Sequence, residues 1–169
     1  LREPIELKQD KVLLKYIGGF YDQRQPTGLI KALDYLHKHE PSLLAKIQVE
    51  FIGNRDRPIH IPEHLKHQIL LKKQVDYITS LKEMMSSSIL LIIDAPFTQS
   101  PFLPSKLIDY IGANKPIFGI TPQGTSQLLI EEMGFPVAHP NHYKDIAKKL
   151  SDMTKDFLDG KTKEIPEKI

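Results

Sequence analysis

Ser105, Lys106 and Asp109 lie close together in the sequence and carry side chains suited to binding a phosphorylated ligand. Pro104, just before them, suits the first position of a helix, because its missing N–H would have no partner there. The unpaired amides and the dipole at a helix N-terminus favour an anion. Lys106 either neutralises that anion or is a solvated charge. Ser105 and Asp109 share a helix face, and a carboxylate one turn into the helix suits a ribose hydroxyl pair.

A short helix and a buried strand are expected to position these residues. Leu107, Ile108 and Ile111 recur at helical spacing and predict the buried stripe of the helix. Gly112 is expected to end it, before a strand at residues 117–120.

A second group of candidates follows the first predicted strand. Gly18 and Gly19 would allow the backbone to approach a phosphate closely, and a plain tight turn explains them equally well. They form neither a GxGxxG fingerprint nor a P-loop, because no Gly-Lys-Ser/Thr follows. Arg24, in the same loop, is either solvated or directed at a phosphate.

Strands and helices alternate along the chain, which predicts an α/β fold. We expect a Rossmann-like, doubly wound parallel sheet of about six strands with helices on both faces. Ligands bind such sheets outside the carboxyl ends of the strands, where all of the candidate residues fall. The predicted strands cover residues 11–17, 47–53, 69–72, 88–94, 117–120 and 136–139.

Helix boundaries are also predicted by local patterns. Ser80 and Glu83 form a capping box that would open a helix containing a buried pair, Met84 and Met85. A later helix is expected from about Thr125 to Met133, with Gly134 ending it in a left-handed conformation. Asn141 should cap a last helix, whose apolar residues form one seam, namely Ile146, Leu150, Met153 and Phe157.

Composition excludes several classes of protein. The 169 residues fit one domain, and a net charge of +2 gives no electrostatic footprint for nucleic acid. There is no cysteine, so disulfides and thiolate metal sites are excluded.

His60 and His64 have metal-like spacing, but Pro62 lies between them and no third ligand is evident, so no metal site is expected. The apolar run at residues 89–93 is too short to span a bilayer, and we expect a cytoplasmic protein.

The stretch from Ser100 to Gly119 resembles a known signature. It is similar to that of the C-terminal domain of two-domain retaining glycosyltransferases, which have the GT-B architecture and are called glycosyl transferases group 1. That family carries two glutamates eight positions apart, then a small-residue turn, a glycine and a strand-opening proline. Asp109 stands in the second glutamate position, seven residues before Pro116, whereas Pro101 replaces the first glutamate.

The resemblance implies a nucleotide-diphosphate sugar as donor substrate. Residues 1–169 would form one donor-binding domain, cut from a longer protein and ending in a charged tail at 159–169. The acceptor and the catalytic group, which no residue here is assigned to supply, would belong to a missing N-terminal domain. Neither a cofactor nor a metal ion is implied. The residues implied to hold the donor are Gly18, Gly19, Arg24, Ser105, Lys106, Leu107 and Asp109.

The same resemblance leads to expectations about activity. The full-length protein should be a hexosyltransferase of polysaccharide or glycan biosynthesis, and any peripheral membrane association should run through the missing domain. The isolated chain should bind nucleotide without transferring sugar. Two alternatives remain open. One is a GT-B-type nucleotide-sugar epimerase, which needs catalytic carboxylates or histidines in the cleft. The other is a non-enzymatic regulatory domain, which as a receiver would need clustered acidic residues after its first strand.

Overall fold

Six parallel strands form a sheet in the computed structural model, which describes residues 10–97 and 103–167. The strand order is β3-β2-β1-β4-β5-β6, so the chain winds outward twice from the centre. This is the doubly wound α/β arrangement that the sequence predicts. The strands are β1 (Val12–Ile17), β2 (Ile47–Ile52), β3 (Ile69–Lys72), β4 (Ile89–Ile93), β5 (Ile117–Ile120) and β6 (Val137–Ala138).

Helices cover both faces of this sheet. On one face α1 packs against α6, and on the other face α3, α4 and α5 share an apolar core with the strands. A 3₁₀ turn at Glu63–Leu65 is the sole helical piece between β2 and β3 in the described residues. The helices are α1 (Thr27–His39), α2 (Pro41–Leu44), α3 (Tyr77–Met85), α4 (Ser105–Ala113), α5 (Thr125–Glu132) and α6 (Tyr143–Leu158).

The central strand β4 is apolar at every position because it contacts helices on both faces. Leu91 belongs to the core under α1 and α6, whereas Leu90 and Ile92 belong to the core under α3, α4 and α5. Each such side chain contributes roughly 1.5–3 kcal/mol of burial free energy. β4 therefore stabilises both helical layers at once.

The two halves of the sheet divide between β1 and β4. The β1–β4 ladder runs from Leu14 opposite Ile89 to Tyr16 opposite Leu91, whereas the β1–β2 ladder continues to Ile17. The connections from β1 and β4 then leave toward opposite edges of the sheet. This divergence opens the crevice in which doubly wound proteins bind ligands.

The predicted start of α3 is wrong. Asp76 is the N-cap, and its Oδ1 accepts a 2.7 Å hydrogen bond from the amide of Thr79. Ser80 lies one turn inside the helix, and its hydroxyl donates to the carbonyl of Tyr77. Glu83 is not part of a capping box, because it forms an ion pair beneath the helix. An aspartate caps a helix as well as a serine does, and the sequence-based prediction did not consider Asp76, which lies four residues before Ser80.

The boundaries of α4 also differ from the prediction. Pro104 is the N-cap rather than the first helical residue, and Gly112 lies inside the helix. Asn114 ends α4 in the left-handed conformation, at φ 52°, which asparagine tolerates. The buried stripe contains Leu107 and Tyr110, whereas Ile108 is 61% exposed.

Other helix details are a mixture of confirmed and wrong predictions. Gly134, at φ 86°, follows α5 as expected. The last helix begins one residue later than predicted, with His142 rather than Asn141 as N-cap. Met84 is buried as expected, but Met85 is 59% exposed.

Candidate functional site

The Gly18–Gly19 turn is pressed against the loop that follows β2. The amide of Gly18 donates a 2.9 Å hydrogen bond to the carbonyl of Ile52. Gly53 has φ +152°, and a Cβ at this position would lie 1.9 Å from the Gly18 carbonyl oxygen. Only glycine can occupy position 53 in this arrangement. The ends of β1 and β2 are therefore held together by direct backbone contact.

Gly19 is not required by packing within the chain. Its φ lies outside the positive region, and a Cβ there would make ordinary contacts of 3.5 Å or longer. Within the described residues, its amide has no hydrogen-bond acceptor. The amide is therefore available to an anionic ligand.

A cavity of about 310 Å³ lies at this carboxyl edge of the sheet. Gly18 and Gly19 line one part of it, and Lys106 reaches it from α4. Asn54 and Gln74, from the loops after β2 and β3, also line it, and their side-chain amides hydrogen-bond to each other. The cavity thus combines backbone amides, one lysine and two neutral amide side chains, a set suited to an anion attached to a hydrogen-bonding group.

A larger cavity, of about 440 Å³, lies elsewhere. It is lined by Ile89, Pro116 and Pro136, at the amino-terminal ends of β4, β5 and β6, and by residues of α6. None of the candidate residues is there. Because ligands of doubly wound sheets bind at the carboxyl edge, we assign the candidate site to the smaller cavity.

Arg24 lies beside this cavity and is held by two side chains. Its Nη2 is 3.1 Å from Oδ1 of Asp94, which directly follows β4, and its Nη1 donates a 2.8 Å hydrogen bond to the hydroxyl of Tyr21. Its guanidinium carbon also lies 5.1 Å from the centre of the Tyr21 ring. Burial opposes the charge, but the hydrogen bond that the guanidinium donates to Asp94, together with the nearby charges, outweighs it, so the pKa of Arg24 is raised and the side chain stays cationic.

The loop that carries Arg24 is held in place by the loop that follows β2. The amide of Asp22 and the side chain of Gln25 both donate to the carboxylate of Asp56, at 2.8 and 3.2 Å. Asp22 adopts φ 50°, a conformation that aspartate tolerates. A hydrogen bond from Arg57, supported by the Asp22 amide, lowers the pKa of Asp56. The loop is thus organised before any ligand binds.

Of the three polar candidates at the start of α4, Lys106 lines the cavity, whereas Ser105 and Asp109 are not among its lining residues. Ser105 is the exposed first residue, and no side chain among the described residues caps this end of the helix. Asp109, one turn further along, accepts a 3.3 Å hydrogen bond from the hydroxyl of Tyr77. The ammonium of Lys106 lies 5.9 Å from the centre of the same ring. Tyr77 therefore joins the two charged residues of α4 to the start of α3.

The structure brings together some of the predicted residues and separates others. Gly18, Gly19 and Lys106 line one cavity. The side chain of Leu107 is fully buried in the core, and its amide donates to the carbonyl of Pro104, so it anchors α4. Pro101, in the position of the first motif glutamate, lies outside the described residues.

Two contributors to the site are absent from the sequence-based set. The hydroxyl of Tyr110 accepts a 3.0 Å hydrogen bond from the amide of Ile17, directly before the glycine turn. Asp94 is 6% exposed and pairs with Arg24. A polar residue directly after a wholly apolar strand was the available signal for Asp94. Nothing local distinguishes Tyr110 from an ordinary core tyrosine.

The sequence matches no protein-family model and no curated protein. Its structure is similar to WaaG, a glycosyltransferase involved in lipopolysaccharide biosynthesis, with 16% identity and a TM-score of 0.61 over 90% of this chain and 42% of that one. An α,α-trehalose-phosphate synthase (UDP-forming) from Burkholderia xenovorans has 13% identity and a TM-score of 0.61, over 90% of this chain and 36% of that one. The chain thus spans less than half the length of these two proteins.

A third solved structure is a single domain. It is the C-terminal domain of the glycosyl transferase group 1 family protein LpcC from Francisella tularensis, with 12% identity and a TM-score of 0.62 over 90% of this chain and 85% of that one. At such identities the likeness defines the fold. The chain has the Rossmann-like fold of GT-B glycosyltransferase domains, as predicted. In the described part of the chain, every helix is too short or too polar to cross a membrane.

Proposed function

We propose that this chain is the donor-binding domain of a glycosyltransferase and that its ligand is a nucleotide-diphosphate sugar. The observation that carries the proposal is the cavity at the carboxyl edge of the sheet, where Gly18, Gly19 and Lys106 converge. The fold supports it, since WaaG is a glycosyltransferase and the trehalose-phosphate synthase is UDP-forming.

In this proposal the diphosphate lies between the glycine turn and the N-terminus of α4. The amide of Gly19 and the first amides of α4, from Ser105 onward, supply N–H donors. Lys106 and Arg24 supply positive charge. When the sugar departs, negative charge builds up on the nucleotide diphosphate, and such fixed donors stabilise that charge in the transition state.

The ribose is assigned to Asp109. A carboxylate can accept hydrogen bonds from both ribose hydroxyls. The Tyr77 hydroxyl, 3.3 Å from Asp109, orients the carboxylate and leaves further acceptor positions on its two oxygens. Aspartate is one methylene shorter than the glutamate of the family pattern, so the ribose must approach α4 more closely.

In this proposal, the other parts of the enzyme belong to a second domain. The acceptor and the catalytic group belong to an N-terminal domain, and the full-length protein transfers a hexose in cytoplasmic polysaccharide or glycan assembly. The donor site works without a metal ion or another cofactor, because amides and basic side chains take that role. The isolated chain accordingly binds nucleotide but does not transfer sugar, and measurable turnover by the 169-residue chain would contradict this.

Calorimetric titration with UDP, GDP and ADP tests the proposal. We expect one of these diphosphates to bind, and Asp109→Ala and Lys106→Met each to weaken it about tenfold or more, as loss of a charged hydrogen-bonding group does. Asp152→Ala and Lys82→Met are the matched controls, because both residues are exposed and neither lines the cavity. Equal affinity of the site and control variants, or no binding at millimolar nucleotide by the full-length protein, would refute the assignment.

A further inference from the structure

Arg24 and Asp94 form an ion pair across the crevice between the two halves of the sheet. Arg24 comes from the loop after β1 and Asp94 from the end of β4, and their charged atoms are 3.1 Å apart. The side chain of Asp94 is 7% exposed and that of Arg24 is 25% exposed. A pair this sheltered from water is screened much less than one on the surface.

Asp94 is held in place by its own backbone. Its Oδ1 accepts a 2.8 Å hydrogen bond from the amide of Ala95, and the same oxygen contacts Arg24. The amide of Asp94 donates to the carbonyl of Ile120 in β5. The carboxylate is therefore a fixed group at the end of the central strands.

Arg24 reaches this fixed carboxylate on a flexible side chain. Its Nε is buried and has no hydrogen-bond partner in the described residues, so the guanidinium is incompletely satisfied in this state. The ring and hydroxyl of Tyr21, which lines the cavity, also contact the guanidinium. A guanidinium that is already paired with a carboxylate presents almost no net charge to an incoming anion.

We propose that Asp94 is an internal counter-anion that competes with the ligand's diphosphate for Arg24 and thereby lowers the affinity of the site. This rests on the proposed function, in which Arg24 contacts the diphosphate. In the ligand-free domain Asp94 neutralises the guanidinium and keeps it at the crevice. On binding, the guanidinium exchanges the carboxylate for a phosphate oxygen, which it can contact through two parallel hydrogen bonds.

The proposal predicts the sign of a charge-removing substitution. Asp94→Asn keeps a hydrogen-bond acceptor of the same shape but removes the competing charge. Inorganic pyrophosphate and the nucleoside diphosphates should then bind roughly tenfold more tightly, a change of the size expected for one charge a few ångströms away in a partly buried site. If Asp94 instead positioned Arg24 for the ligand, affinity would fall.

Three variants separate this effect from general electrostatics. Asp22→Asn removes the same charge from the loop of Arg24 and does not touch the guanidinium, so it should leave affinity within about twofold of wild type. Arg24→Gln should weaken binding. The double variant Arg24→Gln/Asp94→Asn should show no gain over Arg24→Gln, because the competitor and its target are both gone.

A measurement on the ligand-free domain, combined with the binding data, separates the counter-anion proposal from the nucleotide-site proposal. Side-chain NMR should show slow rotation of the Arg24 guanidinium in the wild type and faster rotation in Asp94→Asn, with Arg55 as an exposed reference.

Tighter pyrophosphate binding by Asp94→Asn, without any preference for nucleotides, would support the counter-anion and refute the nucleotide site. Nucleotide binding that is unchanged or weakened in Asp94→Asn, or equal gains in the double variant, would overturn the counter-anion and leave the nucleotide site standing.

Discussion

The hydroxyl of Tyr110 accepts a 3.0 Å hydrogen bond from the backbone amide of Ile17, and the tyrosine is completely buried. This amide comes one residue after the last pair of the β1–β4 ladder, Tyr16 opposite Leu91. Burial raises the pKa of Tyr110, which keeps the phenol neutral. The hydrogen bond joins α4, which carries Lys106, to the strand that ends in the glycine turn.

Tyr110→Phe should destabilise the protein. The substitution preserves the ring and removes the hydroxyl that accepts the hydrogen bond from the Ile17 amide, and the loss of such a bond costs about 0.5–1.5 kcal/mol. Urea unfolding measures the loss. Tyr77→Phe is the control, because Tyr77 is 58% exposed and its removal should change the unfolding free energy by less than about 0.5 kcal/mol. Equal stabilities of the two variants would show that the buried amide finds another partner.

Gly53→Ala should be strongly destabilising. A Cβ at position 53 would lie 1.9 Å from the Gly18 carbonyl oxygen, and the residue has φ +152°. Strain and overpacking each cost about 1–3 kcal/mol. Gly112→Ala offers the matched control, because a Cβ there meets nothing within 4 Å and the residue lies in α4. We expect the control to gain about 0.5–1 kcal/mol from helix propensity. Thermal unfolding of both variants distinguishes the two signs.

Lys15→Met should also destabilise the protein, through an ion network beneath α3. Lys15 is 3% exposed, and its ammonium lies 2.6 Å from Glu83 and 3.5 Å from Glu50. Lys72 lies 3.2 Å from Glu50 and 3.7 Å from Glu83, so the variant leaves one cation for two carboxylates. Removing one partner of a buried ion pair costs about 3–5 kcal/mol, and because Lys72 remains we expect a loss at the lower end of that range. Lys82→Met, on the solvent side of α3, should change stability by less than about 0.5 kcal/mol. A loss for Lys15→Met as small as for this control would mean that the network contributes nothing.

The same network should make stability depend on pH. Burial alone would raise the pKa of Glu83, but the hydrogen bond and charge of Lys15, with the charge of Lys72, outweigh it and lower the pKa below its usual 4.5. The folded protein therefore binds this proton more weakly than the unfolded chain does. The stabilisation is complete above about pH 4.5 and is lost as the pH falls through the lowered pKa.

Urea unfolding of the wild type and of Glu83→Gln between about pH 3 and about pH 7 measures this dependence. Glutamine keeps the shape of the side chain and removes its charge. We expect the wild type to be more stable at neutral pH and the difference to shrink below about pH 4.5. A difference that stays constant over the whole range would assign the stabilisation to hydrogen bonding rather than to charge.

Much of the fold follows from local patterns in the sequence. The apolar runs predict all six strands, and periodicity finds α6 through Ile146 and Leu150. Helix ends are less reliable, because several neighbouring residues can cap equally well. Asp76 instead of Ser80 opens α3, and Asn114 instead of Gly112 ends α4.

The glycines show which parts of the site can be predicted from local sequence and which cannot. Gly18 and Gly19 are recognisable from their place after a strand, and the structure puts them in the cavity wall. The backbone requirement for glycine falls on Gly53 instead, because that residue touches Gly18 from a neighbouring strand. Which of the glycines is indispensable depends on how two loops pack together.

The sequence by itself determined the alternation of strands and helices, the doubly wound class and the edge of the sheet that carries the candidate residues. Those features depend on periodicity and turn chemistry over a few residues. Only the tertiary structure decided which side chains meet: Lys15 with Glu83, 68 positions apart, Arg24 with Asp94, 70 apart, and Ile17 with Tyr110, 93 apart. The physical reason is that these contacts depend on the order of the strands and on how helices pack across them, and neither is encoded in a local pattern.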